Sequence, residues 1–408
     1  MNDVDQIIEI QPDVKWIGAY DPDIVTFDIV METQNGTTYN SYFINAAKKT
    51  VVETVKEKFG KIYIEKLKTL CKLEELAYII VNHTEPDHVG TVKMLLDVAP
   101  NAVVVGSGNA LRYLRDIVGH DFKSQQVKDG DELDLGDRKI QFIGAPNLHW
   151  PDSMYSYLPN EKILFTCDSF GAHYCDERMF DDLVDFYDES FKYYFDVILK
   201  PFSKFMLKAI EKIRPLEIKV ICPGHGPILR SDWKRYVDLS EQYSKEYLAE
   251  TNCAKQKLLI AYVSAYGFTG ELAAAIAEGA KESGDVEVIL LDVEKIHPND
   301  LSEQLTNATS LLVGSPTINQ NTLLPIYTLF ALCNPIRDRG KMAGAFGSYG
   351  WSGEACDIIV ASLKALKFNV AEESLKVKFR PAAEALAQAR AFGKSFAEKA
   401  KASLQTAE

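Results

Sequence analysis

Residues 83–88, His83-Thr84-Glu85-Pro86-Asp87-His88, hold four side chains of the kinds that bind metal ions. They follow an apolar run at 78–81 and precede a helical pattern, so the expectation is a strand-end loop whose side chains face one pocket. Pro86 is expected to keep the stretch out of a helix. A solvated polar loop would explain this segment alone, but not the three others that share its character. These are Asn147-Leu148-His149-Trp150-Pro151-Asp152-Ser153, Phe165-Thr166-Cys167-Asp168-Ser169 and Cys222-Pro223-Gly224-His225-Gly226-Pro227. Asp168 follows the apolar run ILFTC, where a carboxylate is costly unless it binds a cation. His225 stands between glycines and prolines, in a rigid turn that lets backbone approach closely. A lone histidine in any of these places is usually a satisfied core residue; together the segments form a metal-binding set.

A second constellation lies further along the chain. Ser264-Ala265-Tyr266-Gly267-Phe268-Thr269-Gly270 follows a strand pattern and opens a helical one. Hydroxyls and backbone N–H groups in such a loop cradle a phosphate, and the helix N-terminus adds a favourable dipole. No Walker lysine is present, which argues against a nucleoside triphosphate. Gly314-Ser315-Pro316-Thr317-Ile318-Asn319 and Gly347-Ser348-Tyr349-Gly350-Trp351-Ser352-Gly353 also follow apolar runs. They bring small, hydroxyl and aromatic residues to the carboxyl edge of a sheet, where such folds bind ligands. Tyr349 and Trp351 could stack on an isoalloxazine ring, Trp351 being preferred.

The elements that position these loops divide the chain in two. LLIAYVSA, VEVILLDV, SLLVGSPT and KMAGAFGS read as buried strands, and the stretches between them, such as GELAAAIAEGAKESG, read as helices. Such alternation is the mark of a doubly wound parallel sheet. The N-terminal part instead mixes hairpins with strand–loop–helix units, which suggests mixed sheets flanked by helices. The junction is expected at the polar stretch ETNCAKQK, giving domains over 1–252 and 257–408.

Bulk properties narrow the class. A net charge of −13 argues against non-specific nucleic-acid binding and against an anionic membrane surface. No apolar run approaches the ~18 residues that a membrane span needs. The acidic start MNDVDQ lacks the basic region of a signal peptide. The seven cysteines are scattered with no C-x-x-C pair, which excludes a rubredoxin-type or zinc-ribbon module within the sequence and fits a reducing, cytoplasmic location.

The first ~250 residues resemble the metallo-β-lactamase superfamily, whose common zinc form carries H-x-H-x-D-H, then a His, a bridging Asp and a last His. Here Glu85 replaces the second His. An anionic oxygen ligand suits iron better than zinc, and H-x-E-x-D is the form found in flavodiiron proteins. The three C-terminal loops resemble those that bind FMN in flavodoxin. The whole chain therefore resembles a two-domain flavodiiron protein (A-type flavoprotein), an αββα metallo-β-lactamase-like sandwich followed by a flavodoxin-like domain. The resemblance implies one iron on His83, Glu85 and His149, another on Asp87, His88 and His225, and Asp168 bridging them. His88 is either a ligand or an outer hydrogen-bond donor, since its role varies within the family. His173 is expected beside the site, and His120 and His297 at the surface. Some members carry a His in the early hairpin where this chain has Asp28, which alters the polarity of the pocket.

The resemblance further implies reduction of O2 to water, of NO to N2O, or both, with electrons delivered through FMN. It implies a head-to-tail homodimer, or a dimer of dimers, and leaves the donor open among rubredoxin, a reduced deazaflavin and another reductase. The competing class is a di-zinc hydrolase fused to a flavodoxin electron carrier, which Glu85 disfavours.

Overall fold

In the N-terminal half, apolar residues alternate between two faces of each strand. Tyr42, Ile44, Val52, Ile80 and Val105 join one core cluster with Ile140, Phe142, Ile163 and Phe165. Their strand neighbours Phe43, Val51, Ile79, Val81 and Val104 join another, with Tyr63, Leu67, Leu95 and Leu114. A third contains Tyr155, Tyr157, Leu164 and Ile221 with Tyr194, Met206, Ile210 and Val237. Strands apolar on both faces must be covered on both faces, so the layers run helix, sheet, sheet, helix.

This computed structural model describes residues 2–28, 31–252 and 256–405. Residues 253–255, inside the polar stretch expected at the junction, lie outside them. The chain forms two compact units, residues 1–248 and 249–408. In the first, a seven-stranded sheet contains Tyr42–Ile44, Lys49–Val52, Leu76–Val81 and Val103–Gly106 at its centre. Helices Gly60–Leu70, Val92–Val98 and Gly108–Val118 cover its outer face. The facing five-stranded sheet contains Lys139–Gly144, Met154–Leu158, Ile163–Cys167 and Val220–Pro223.

Strand direction gathers the motif segments. Lys139–Gly144 is antiparallel to Met154–Leu158, which is antiparallel to Ile163–Cys167, and that strand is parallel to Val220–Pro223. The C-terminal ends of the first, third and fourth therefore share one edge, and these ends lead to His149, Asp168 and His225. Leu76–Val81, in the other sheet, ends beside them: the Asn82 carbonyl accepts from Met154 N at 2.9 Å and Asn82 Oδ1 accepts from Ser156 Oγ at 2.6 Å.

The expectation for Pro86 needs correction. Pro86–Val89 is a short helical turn with proline at its first position. Proline is compatible there because that N–H has no intrahelical acceptor. The restriction falls on Glu85, which is extended with φ −60° and ψ 139°.

The second unit has a parallel sheet in the order Val286–Asp292, Gln256–Tyr262, Ser310–Gly314, Met342–Tyr349, with Asn369–Val370 and Leu375–Lys378 both pairing the last. This is the flavodoxin-like 2-1-3-4-5 order. Helices Phe268–Lys281 and Ala383–Gln405 pack on one face, and Pro298–Asn307, Leu324–Leu332 and Glu354–Ala365 on the other. Among the described residues no helix is long and apolar enough to cross a membrane.

Candidate metal centre and flavin site

The four segments converge on two groups of donors that share Asp168. On one side, Glu85 Oε2 lies 2.9 Å from His149 Nε2 and 3.3 Å from His83 Nε2, and Asp168 Oδ2 lies 3.5 Å from each imidazole. On the other, Asp168 Oδ1 lies 3.1 Å from His88 Nε2 and 3.6 Å from His225 Nε2, while Asp87 Oδ2 is 3.1 Å from His225 Nε2. One carboxylate thus directs one oxygen to each group.

These separations fit cations. Ligands about 2.1 Å from a metal stand roughly 3.0 Å apart at right angles and about 3.4 Å apart in a tetrahedron. Asp87 points the same way. Both of its oxygens are buried with no aligned hydrogen-bond donor, although His225 Nε2 is only 3.1 Å away. Two lone pairs aimed past each other suit a cation between them. His88 presents Nε2 to the cluster, the orientation a ligand needs.

Local backbone makes the convergence possible. Cys167 takes a left-handed φ of 49° at the strand end that leads to Asp168. At Gly224 a Cβ would stand 2.7 Å from His88 Cε1, so only glycine lets the His225 turn close on His88. His83, Asp87, His88, Asp168 and His225 are buried, whereas the Glu85 and His149 side chains are 14% and 19% exposed. The centre therefore opens toward solvent on the Glu85–His149 side.

Charge in the cluster is tightly balanced. Burial opposes an imidazolium at His83, but Asp152, Glu85 and Asp168 outweigh it and hold its pKa well above the ordinary value. Burial is likewise overcome at His88, by Asp87 and Asp168 among others. At Asp168 burial favours the neutral acid, yet His88, His83 and His149 hold the carboxyl well below its usual range. The same conflict at Glu85 is resolved by His149 and His83. Protons here neutralise charge that bound cations would neutralise equally well.

The surroundings bring in residues the sequence did not single out. Tyr194 donates its phenol to Asp168 Oδ1 at 3.0 Å, and the Thr38 carbonyl stands 2.6 Å from His225 Nδ1. Asp152 Oδ2 faces His83 Nδ1 at 3.3 Å. His173 is buried against Phe27, Tyr194 and His225, with ring centroids 4.4, 4.8 and 5.4 Å away. Its Nδ1 meets the Thr37 hydroxyl at 2.9 Å and its Nε2 has no hydrogen-bond partner. Burial, with His225, drives its pKa well below the ordinary value, so the ring is neutral. Asp28 is near Glu85 and Asp87; partial burial and these two carboxylates push its pKa up to about 6. His120 and His297 are exposed. No local pattern announces Tyr194 or Thr38; only packing brings them in.

In the second unit the three loops enclose a cavity of about 340 Å³. Its walls include Tyr266, Phe268, Pro316, Thr317, Ile318, Asn319, Ser348, Tyr349, Gly350 and Trp351. Of the remaining loop residues, Ser264 Oγ accepts from Gly270 N at 3.2 Å, and the Thr269 and Ser348 hydroxyls pair at 2.8 Å. Ala265 is exposed, and Gly267 caps the helix with a left-handed φ of 85°. Ser315 is buried and accepts from Leu323 N at 3.3 Å. Asn319 and Gln320 are consecutive left-handed residues, φ 53° and 58°, in a turn closed by Ile318 and Asn321. A left-handed Gln is strained, as residues at binding loops often are.

Gln320, Ser352 and Phe379 also line this cavity. Phe379 follows strand Leu375–Lys378 and donates its backbone N–H to the Tyr349 carbonyl at 2.7 Å. Its position beyond a strand end was a usable signal, but nothing in KFRP marks a flavin contact.

Comparison with known proteins agrees with this two-part construction. Residues 37–226 match the family model described as ODP family beta lactamase, and residues 260–393 match Flavodoxin. The type A flavoprotein fprA of Rhodobacter capsulatus is 42% identical over 96% of this chain and 91% of its own length. A protein of Moorella thermoacetica named nitric oxide reductase is 36% identical, covering 96% of this chain and 98% of its own. Among solved structures, rubredoxin oxygen:oxidoreductase from Desulfovibrio gigas superposes with a TM-score of 0.73 at 28% identity, covering 98% of this chain and 99% of that one. With full-length likeness in sequence and fold, the chain belongs to the flavodiiron, or type A flavoprotein, family.

Proposed function

We propose that the chain reduces O2 to water, NO to N2O, or both, at a non-haem di-iron centre, with electrons arriving through FMN. The observation that carries this reading is the division of Asp168 between two donor groups on a chain that also holds an FMN-type cavity. His83, Glu85 and His149 would hold one iron, Asp87, His88 and His225 the other, and Asp168 offers one oxygen to each group. Glu85 favours iron over zinc and so weighs against a di-zinc hydrolase joined to a flavodoxin carrier. When bound, the irons and FMN together would store four electrons, enough to take O2 with four protons to two waters, or to join two NO molecules, with two electrons and two protons, into N2O and one water.

The protein's own residues hold and orient. Asp168 fixes the separation of the two positions, and Tyr194 restrains Asp168. Phe27 and Phe202 stand against His225 and His149, with ring centroids 5.4 and 6.2 Å away, and help keep the surroundings dry. In the flavodoxin-like unit the loop from Ser264 to Thr269 would receive the phosphate, Ser315–Asn319 and Ser348–Trp351 would hold the ring, and Trp351 would be the preferred stacking partner.

The working unit on this reading is a cytoplasmic head-to-tail homodimer, or a dimer of such dimers, in which the FMN of one chain serves the irons of the other. Trp351 and Tyr266, 84% and 76% exposed at the flavin cavity, suit a surface that is covered by ligand and partner. The donor is a rubredoxin-like protein, a reduced deazaflavin or another reductase. The test is metal analysis together with O2 and NO consumption under a chemical reductant. Two irons per chain and turnover of either gas are expected; two zincs per chain with no gas consumption would overturn the reading.

A further inference from the structure

We propose that Asp152 is the positioning residue for His83, and that its charge sets how tightly the His83–Glu85–His149 position holds iron. The inference rests on the di-iron reading above. His83 turns Nε2 toward Glu85 and Asp168, at 3.3 and 3.5 Å, so a cation bound at Nε2 would leave the ring its one proton on Nδ1. Nδ1 faces Asp152 Oδ2 at 3.3 Å, and neither residue is exposed to solvent. The carboxylate is itself fixed: the same oxygen accepts from the backbone N–H and the hydroxyl of Thr84, both at 2.8 Å. Ser107 Oγ donates to the Asp152 main-chain carbonyl at 2.9 Å.

The two sides of the centre differ in this respect. His225 has a main-chain carbonyl behind it, and His88 Nδ1 faces the Cys167 thiol at 3.7 Å. Among the described residues no other histidine of the cluster has a carboxylate within hydrogen-bond distance of its outward nitrogen. An anion on the outer N–H of a metal-bound imidazole fixes the ring and makes it a stronger donor. Asp152 therefore strengthens one iron position selectively.

The geometry also separates charge from scaffolding. All three side-chain bonds fall on Oδ2, and Oδ1 has no hydrogen-bond partner. In Asp152→Asn the amide oxygen can occupy the Oδ2 position and keep all three bonds while the charge is lost. The experiment compares wild type, Asp152→Asn and Asp152→Ala by melting of the metal-free protein, chelator competition and Mössbauer spectra of 57Fe-loaded samples. In Asp152→Asn the metal-free protein should stay folded but melt somewhat below wild type, because the charge facing His83 is lost and the amide NH2 takes the partnerless Oδ1 position. One of the two irons should be lost to chelator at about 10–100-fold lower concentration, with only one Mössbauer component altered. Asp152→Ala should lose that iron outright; if it fails to fold, the Asn variant alone decides. A folded Asn variant that keeps both irons with wild-type affinity and spectrum overturns the proposal, as does equal weakening of both. Wild type without an iron pair would instead refute the di-iron reading itself.

Discussion

Replacing Asp168 by asparagine should turn a two-metal site into a one-metal site, and the structure says which position survives. Asp168 Oδ1 accepts the Tyr194 phenol at 3.0 Å. Burial, with Asp168 beside it, raises the Tyr194 pKa well above the ordinary value, so the phenol stays a donor. An asparagine keeps the Tyr194 proton paired only with its amide oxygen at Oδ1, toward His88 and His225, which puts its NH2 at Oδ2, toward His83 and His149. An NH2 group offers no lone pair to a metal. The Asp87–His88–His225 position keeps an oxygen ligand, while the His83 position loses one. Losing an outer-shell partner weakens metal binding about 10–100-fold, so loss of a direct ligand should cost at least about 100-fold, roughly 2.7 kcal/mol. Iron titration with metal analysis should find about one tight iron per chain, and circular dichroism should show an intact fold. Two tight irons would refute the bridging role. One tight iron on the His83 side would refute the argument from Tyr194.

Four further outcomes are expected. Gly267→Asp forces a side chain into a left-handed position and puts negative charge at the phosphate loop; flavin absorbance should be lost while iron content is unchanged. Phe379→Ala should weaken FMN binding by about tenfold, since an aromatic wall contributes about 0.5–1.5 kcal/mol beyond burial; fluorescence titration of the apoprotein checks it, and an unchanged affinity would remove Phe379 from the site. Stripping the metal should destabilise the first unit: iron at ~1,000 times its dissociation constant contributes about 4 kcal/mol, or a fall of roughly 10 °C in Tm on removal, read by calorimetry before and after reconstitution. Mixed dimers of an Asp168→Ala chain and a Gly267→Asp chain should regain activity that neither parent shows, because each mixed dimer has one intact flavin opposite one intact iron pair; verified mixed dimers that stay inactive would contradict the head-to-tail arrangement.

Local chemistry was legible wherever function depends on neighbours in sequence. The loop Ser264–Gly270 is one case: a strand end, a left-handed glycine and a helix N-terminus are consecutive, so their joint meaning can be read without knowing the fold. The parallel sheet behind it was equally readable from alternating apolar runs. Pro86 shows the limit of the same reasoning. Proline excludes itself from a helix interior but not from the first position of a helical turn, and only the folded backbone shows which of these Pro86 occupies.

What the sequence by itself determined is the kind of site: donors of metal-binding type at four strand ends, Glu85 where zinc relatives have histidine, and hydroxyl and aromatic loops that suit a flavin. The tertiary structure alone decided the division of labour. His83 and Asp152 are 69 positions apart, and Tyr194 ends a helix while Asp168 lies in the turn after strand Ile163–Cys167. Which ring nitrogen faces inward, and which oxygen of Asp168 serves which donor group, depends on how two sheets stack and on the directions in which their strands run. Side-chain type is a property of the residue, whereas the direction of a lone pair is a property of the packing that holds it.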